Sequence, residues 1–298
     1  SEERLISQFA RLNYNFDYKY LLSASVRRDG SSKFGADRRY GIFPSVSAGW
    51  VISNEAFYPS GISNVLSEAK FRASVGQTGN NGVGRYTSQG NYNPIYNYAG
   101  NAGISAVAMP NSDLGWETTT QYNVGFDLGF LKNQRINVLV DYFVKQTDDL
   151  LFTVQLPRET GFNSIETNVG SVSYNGIELA ISTENIRTNN FSWTTDFNIA
   201  YVDNEVLKLP EREGIDKNRI NGLIFPDGTG VGGIAEGERL DAFIGWKVNF
   251  LIDNQEQADA AHFDEQALGY DPATETSTRG RKFPGDFEWQ DRDGDGRI

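Results

Sequence analysis

The last eight residues, Asp291-Arg-Asp293-Gly294-Asp295-Gly296-Arg297-Ile298, carry the most specific chemistry in the chain. Carboxylates at positions 1, 3 and 5 followed by Gly at 6 reproduce the first half of a calcium loop, in which alternate acids converge on a hard cation and Gly permits the sharp turn. Position 7 would contribute the Arg297 carbonyl, and Ile298 fills the usual apolar position 8. The chain ends before the bidentate Glu of position 12, so Asp291, Asp293, Asp295 and Arg297 predict a half-complete Ca2+ site. A simple acidic turn is the competing reading.

Other candidates are weaker. Tyr86, Tyr92, Tyr96 and Tyr98 lie in one long polar connection. Their rings can stack on sugars, although Tyr-rich loops are also merely sticky surfaces. Gly228 to Gly233 contains the letters of a dinucleotide fingerprint, but no strand-turn-helix context surrounds it, which favours a loop. Asn190-Phe191-Ser192 matches a glycosylation sequon at the start of a strand and is discounted. Cysteine is absent and His262 is the single histidine. That excludes Cys nucleophiles, disulfides, zinc fingers and Ser-His-Asp triads. No carboxylate pair can be assigned as acid and base without a cleft, so no catalytic residue is expected and the chain reads as a non-enzyme. The net charge of -12 argues against nucleic acid as a partner.

The elements that must position these residues alternate. Leu12, Tyr14 and Phe16 alternate with polar residues, as do Tyr20, Leu22, Ala24 and Val26 across a short turn, which predicts a hairpin. Val46 to Ile52 and Phe71 to Val75 are half-polar strands. Tyr122, Val124, Phe126, Leu128 and Phe130 lead through a turn to Ile136, Val138, Val140, Tyr142 and Val144. Leu150 to Leu156 continues that parity, as one long strand kinked near Asp148 and Asp149. Ile177 to Ile181 pairs with Phe191 to Tyr201, and Ala242 to Phe250 is the last run.

This makes nine or ten strands of about ten residues, and at ~3.3 Å per residue and a 45° tilt each rises roughly 23 Å, the height of an outer-membrane apolar band. Short turns at 16–19, 132–135 and 185–190 alternate with long connections at 28–44, 76–119 and 203–240, a further mark of such barrels. Aromatic residues crowd the turn at Tyr14 to Tyr20, as an interfacial girdle would require. Parity places Tyr122, Val124, Phe126, Ile136, Val138, Val140, Phe197 and Ile199 on the convex, lipid-directed face. Asn123, Asp127, Asn137, Asp141, Asp196 and Asn198 fall on the concave, lumenal face. A soluble β-sandwich, as a carbohydrate-binding or adhesin module, also alternates. A β-rich glycosidase is a third class, which hydrolysis would reveal.

Several segments together resemble the SusC/RagA-type TonB-dependent outer-membrane transporters. They are Arg11 to Gly35, Phe43 to Trp50, Leu114 to Thr118, Val140 to Leu151, Asn168 to Ser171 with Gly176 to Leu179, and Phe283 to Asp286 leading into the acidic loop. The resemblance spans the chain in family order. It implies an all-β fold: antiparallel strands forming part of a large transmembrane barrel of twenty-two strands around a plug, incomplete in this chain. It implies uptake of oligosaccharides, and in some members peptides, with TonB, a SusD-like surface lipoprotein and outer-membrane lipid as partners. The chain begins at Ser1 without a leader, and no plug, TonB box or closing strands can be read from it, so 1–298 is expected to be a segment of the barrel domain.

Overall fold

The computed structural model describes residues 2–98, 101–162, 164–211, 218–220, 222–224, 230–242, 248–261 and 282–289. The chain divides into two compact units, Ser1–Ala242 and Phe243–Ile298.

In the first unit the first twelve described strands are, in chain order, β1 (Leu5–Phe16), β2 (Tyr20–Ser31), β3 (Tyr40–Val51), β4 (Leu66–Asn80), β5 (Asn91–Tyr98), β6 (Asn101–Ala108), β7 (Glu117–Phe130), β8 (Ile136–Asp148), β9 (Leu151–Gln155), β10 (Ser164–Asn168), β11 (Ser171–Arg187) and β12 (Ser192–Lys208). Eight of them form one antiparallel meander, β1-β2-β3-β4-β7-β8-β11-β12, in which each strand pairs with the next wall strand in sequence. These strands are 12 to 17 residues long, longer than the alternation alone indicates. The remaining four form two separate hairpins, β5/β6 and β9/β10.

Alternation explains the register. Tyr122 pairs with Val144, Val124 with Tyr142 and Phe126 with Val140. Val140 then faces Leu179, and Leu179 faces Ile199. On the other side Phe71 pairs with Phe126 and Trp50, Trp50 with Tyr20, and Tyr20 with Phe16. One apolar face therefore runs unbroken across all eight strands. Leu12 is 70% exposed, Tyr201 67% and Ile199 57%, because no second sheet among the described residues covers that face. A sandwich would have buried it, so the sandwich reading fails. A sheet that presents such a face to its surroundings is stable where the surroundings are hydrocarbon.

Two expectations need correction. Leu150 to Leu156 does not continue β8: the ladder ends at Asp148, Asp149 adopts a left-handed conformation at φ 55°, and Leu151–Gln155 leaves to pair with Ser164–Asn168. The polar face is also not wholly polar, since Leu21, Leu139 and Phe143 fall in its register.

The connections alternate as expected. Short turns occupy 17–19, 131–135 and 188–191 at one end, joined there by 52–65, which carries the single-turn helix α1 (Ser60–Ser63). In the first turn Asp17 and Tyr18 both take positive φ, and the Asn15 side chain accepts a hydrogen bond from the Tyr18 amide at 3.0 Å. Residues 32–39, 81–98, 101–116, 149–162, 164–170 and 209–211 occupy the other, loop end. A small core lies there: Phe34, Val83 and Leu114, with Trp116 and Leu151 packed against it.

In the second unit Val248–Leu251 pairs with Phe287–Trp289. Helix α2 (Gln255–Ala260) is capped by the Asn254 side chain, which accepts from the Gln257 amide. A buried Lys282–Glu288 pair at 2.8 Å closes this ribbon. Residues 243–247 of the last expected strand lie outside the described residues.

Candidate functional site

The polar face of the wall is the surface on which a solute could act, and its side chains are arranged in rows across the strands. In one row Arg72 of β4 faces Gly125 of β7, Gly125 faces Asp141 of β8, and Asp141 faces Glu178 of β11. Arg72 and Asp141 are two strands apart, yet Arg72 Nη2 donates to Asp141 Oδ2 at 3.0 Å. Gly125 makes this reach possible, because a Cβ there would lie 2.2 Å from Asp141 Oδ1. Arg72 Nε also donates to Asp127 Oδ1 at 2.7 Å, and Lys70 Nζ lies 3.3 Å from Asp127 Oδ2. One guanidinium thus ties three strands together. These bonds hold the wall, although Asp141 Oδ1 is buried without a partner among the described residues.

A cavity of about 380 Å³ opens beside this network, with Asn13, Ser23, Ser47 and Asn123 on its walls. A second, of about 320 Å³, lies over β7, β8, β11 and β12. Among the described residues no hydrogen bond or ion pair reaches the side chains of Gln121, Asn123, Lys145 or Glu178, or the Tyr174 hydroxyl. Lys145 makes a single cation–π contact, 5.6 Å from the Tyr174 ring centroid.

The loop end is locked by its own hydrogen bonds. Trp116 packs against Phe34 and Phe43, and its indole N–H donates to the Arg39 carbonyl at 3.0 Å. Asn168 accepts from the Gly115 amide and donates to the carbonyls of Gly115 and Asp149. Beyond β12 the chain folds back, with the Val206 amide bonding to Glu238 and the Gly237 amide to Val206. Arg239 clasps Asp241 at 3.0 Å and Asp203 at 2.9 Å. That guanidinium, with the Asn204 amide, holds the Asp241 carboxyl down at about 2.

At the turn end the expected aromatic girdle is present. Tyr14, Phe16 and Tyr20 form a chain of ring contacts, and Trp50 meets Phe57 edge-on. Glu55 accepts from the Tyr20 hydroxyl at 2.6 Å and the Trp50 indole at 3.0 Å, and these bonds hold its carboxyl below the usual range.

Tyr86 is half-exposed in the loop before β5, with φ 62°, and its hydroxyl accepts from the Glu2 amide at 3.4 Å. Tyr92, Tyr96 and Tyr98 lie on β5, where a register shift between Asn93 and Tyr96 interrupts their even spacing. Tyr92 is exposed, and the side chains of the other two are not described. Asp291, Asp293, Asp295 and Arg297, with His262, lie outside the described residues. Gly230–Val231 pairs with Leu223–Ile224, Gly232 and Gly233 turn with positive φ, and another short strand follows, so no helix N-terminus awaits a phosphate.

Residues 2–291 match the family model described as TonB dependent receptor-like, beta-barrel. The chain belongs to this family. It is 44% identical over 240 residues to TonB-dependent receptor P39 of Formosa agariphila, covering 80% of this chain and 22% of that protein. It is 39% identical over 216 residues to TonB-dependent receptor SusC of Bacteroides thetaiotaomicron, covering 69% of this chain and 21% of that receptor. The RagAB peptide transporter is similar in structure, with a TM-score of 0.66 and 32% identity over 74% of this chain and 24% of that one. The chain therefore spans about a fifth to a quarter of the proteins it matches. These relatives are named as receptors and a transporter, and the present chain is likewise no enzyme but a stretch of TonB-dependent receptor barrel, located in the outer membrane. In this barrel the apolar face meets lipid and the polar face meets the lumen. The rows around Arg72 and Lys145 are thus lumenal, and alternation had placed them there without showing which are satisfied.

Proposed function

We propose that the protein to which this wall belongs imports bulky nutrients across the outer membrane, oligosaccharides first, driven by the TonB complex. A SusD-like surface lipoprotein covers its mouth, and all of 1–298 belongs to the barrel domain. The observation that carries the reading is the eight-strand wall itself, apolar throughout on one face and lined with amides and charges on the other. A wall of that kind encloses a wet path through lipid. A second reading, peptide import, is favoured by the likeness to the RagAB peptide transporter. The test is uptake by cells that carry or lack the full-length gene, offered labelled oligosaccharide and peptide pools. Oligosaccharide uptake that disappears with the gene supports the first reading, peptide uptake that disappears with it supports the second, and no difference in either pool refutes import.

The acidic loop fits a structural Ca2+ site at Asp291, Asp293, Asp295 and the Arg297 carbonyl, where a divalent cation would relieve the mutual repulsion of three carboxylates. The ion would stiffen a loop and would not act on a substrate. Calorimetric titration of the full-length protein with calcium, compared with Asp293→Ala, checks this. Equal null heats and equal melting temperatures in chelator would reduce the motif to an acidic turn.

A further inference from the structure

We propose that the 52–65 connection hooks over the lipid-directed face of the wall and seats Phe57 among the phospholipid headgroups, a contact that holds whatever solute the barrel passes. Short turns mark the periplasmic end of such barrels, so the leaflet beside them is the one that faces the periplasm.

β3 ends at Val51 on a face already set by pairing: Trp50 faces Tyr20 and Tyr20 faces Phe16, all on the lipid-directed side. From there the chain could run straight out into water. Instead the Glu55 carboxylate accepts from the Tyr20 hydroxyl at 2.6 Å and from the Trp50 indole N–H at 3.0 Å, and the Asn54 side-chain amide donates to the Tyr18 carbonyl at 3.0 Å. These bonds turn the chain back onto the rings. Two residues on, Phe57 meets the edge of Trp50 with ring centroids 6.4 Å apart, and it remains 65% exposed. The far limb is tied as well, because the Tyr58 hydroxyl donates to the Leu66 carbonyl at 2.8 Å. Phe57 is therefore held out by fixed neighbours on both sides.

Charge and polarity identify what covers the ring. A phenyl side chain left in water forfeits its burial energy, whereas the boundary between headgroups and acyl chains accepts aromatic rings. Within 52–65 the only charged residue is Glu55, whose side chain is 11% exposed and whose carboxylate is already spent on two donors, with Lys19 3.8 Å away. The turns at 17–19 and 131–135 carry two charged residues each. Those turns suit water, and 52–65 does not. The surface that Phe57 extends is the one on which Tyr20 and Trp50 already meet lipid. A plug lies on the lumenal side and further wall strands add at the edges of the sheet, so neither covers it. Phospholipid is the occupant with access. Glu55 completes the arrangement from within, since it takes the polar ends of both rings and leaves their apolar bodies to the acyl chains.

The test uses the full-length protein, freed of other cysteines, in nanodiscs of phosphatidylethanolamine and phosphatidylglycerol. A nitroxide at Phe57→Cys is compared with one at Val124→Cys on the outward face and one at Asn189→Cys in the 188–191 turn. The readout is the ratio of collisions with oxygen, which enters hydrocarbon, to collisions with a water-soluble nickel chelate. Heat-modifiable mobility checks that each variant is folded. The ratio at 57 should lie closer to that at 124 than to that at 189. In a Glu55→Ala background the limb is released, and the ratio at 57 should fall toward that at 189. Tyr20→Phe, which keeps the ring and removes one bond, should move it the same way by less. A ratio at 57 equal to that at 189 places the limb in water and overturns the proposal. Low collision rates with both reagents mean that protein covers the ring, which overturns the lipid assignment. A lipid-like ratio that Glu55→Ala and Tyr20→Phe both leave unchanged overturns the hook, since the bonds that define it would then be idle.

Discussion

Adding one methyl group at Gly125 should break a bridge between two other residues. An alanine Cβ at this position would sit 2.2 Å from Asp141 Oδ1, 2.9 Å from its Cγ and 3.0 Å from Arg72 Nη2. The Asp141 carboxylate must swing away, and its Oδ2 loses the 3.0 Å bond from Arg72. Its Oδ1 has no partner to begin with, so the displaced carboxylate is left with none. A hydrogen bond to a charged group is worth about 1.5 to 3 kcal/mol. Exposures of 30% for Arg72 and 16% for Asp141 place this one toward the lower part of that range. Alanine is better than glycine in a strand by roughly 0.5 to 1 kcal/mol. The net expectation for Gly125→Ala is therefore a loss of about 1 kcal/mol. The assay is urea unfolding of the full-length barrel in liposomes, read by heat-modifiable electrophoretic mobility. In an Asp141→Ala background the same substitution has nothing to displace and should be neutral or slightly stabilising. Equal cost in both backgrounds, or no cost in wild type, would refute the argument that Gly125 exists to let Arg72 pass.

Three further outcomes follow from the same geometry. Val124→Arg should cost roughly 2 to 4 kcal/mol in the same unfolding assay, whereas Ser74→Arg, facing the lumen, should cost little. Asp241 has a folded value of about 2 against an ordinary 3.8, so the Arg239 clasp contributes fully above pH ~4 and is lost as pH falls through about 2. Pepsin at pH ~3 should therefore cut the loop beyond β12 faster in Arg239→Ala than in wild type. Trp116→Ala removes the contacts with Phe34 and Phe43 and the bond to Arg39, and should raise amide exchange across 32–39 and 111–117 while leaving β8 protected.

Much of the wall was legible because a period of two leaves no choice of face. Val124, Val140 and Ile199 alternate with Asn123, Asp141 and Asn198 in sequence, and the ladders set each group on its own face. Where alternation lapses, the sequence is silent: Leu5-Ile6-Ser7-Gln8-Phe9 shows no clear parity, yet it extends β1 beyond the visible run. Leu151 to Gln155 keeps the parity of β8, and only the left-handed Asp149 turns it out of the sheet. The lumenal network is a matter of neighbours two strands apart, a distance that no local pattern encodes. Gly125 reads in sequence as one more small residue. The contrast between satisfied and unsatisfied rows is likewise invisible until the strands are in register. Composition likewise says nothing about the bulge in β5 that interrupts the spacing of Tyr92, Tyr96 and Tyr98.

The two hairpins outside the sheet bear on how this wall tolerates change. β4 pairs with β7, and β8 with β11, across excursions that close on themselves through the β5/β6 and β9/β10 ladders. Doubling the length of a flexible connection adds only about 0.6 kcal/mol to the cost of bringing its ends together. A self-closed hairpin adds less still, since its own ladder shortens the free chain. Substantial insertions or deletions at these two places should therefore leave the order of wall strands and their pairing untouched. The part of the molecule that meets the outside can be rewritten while the part that meets the lipid stays as it is.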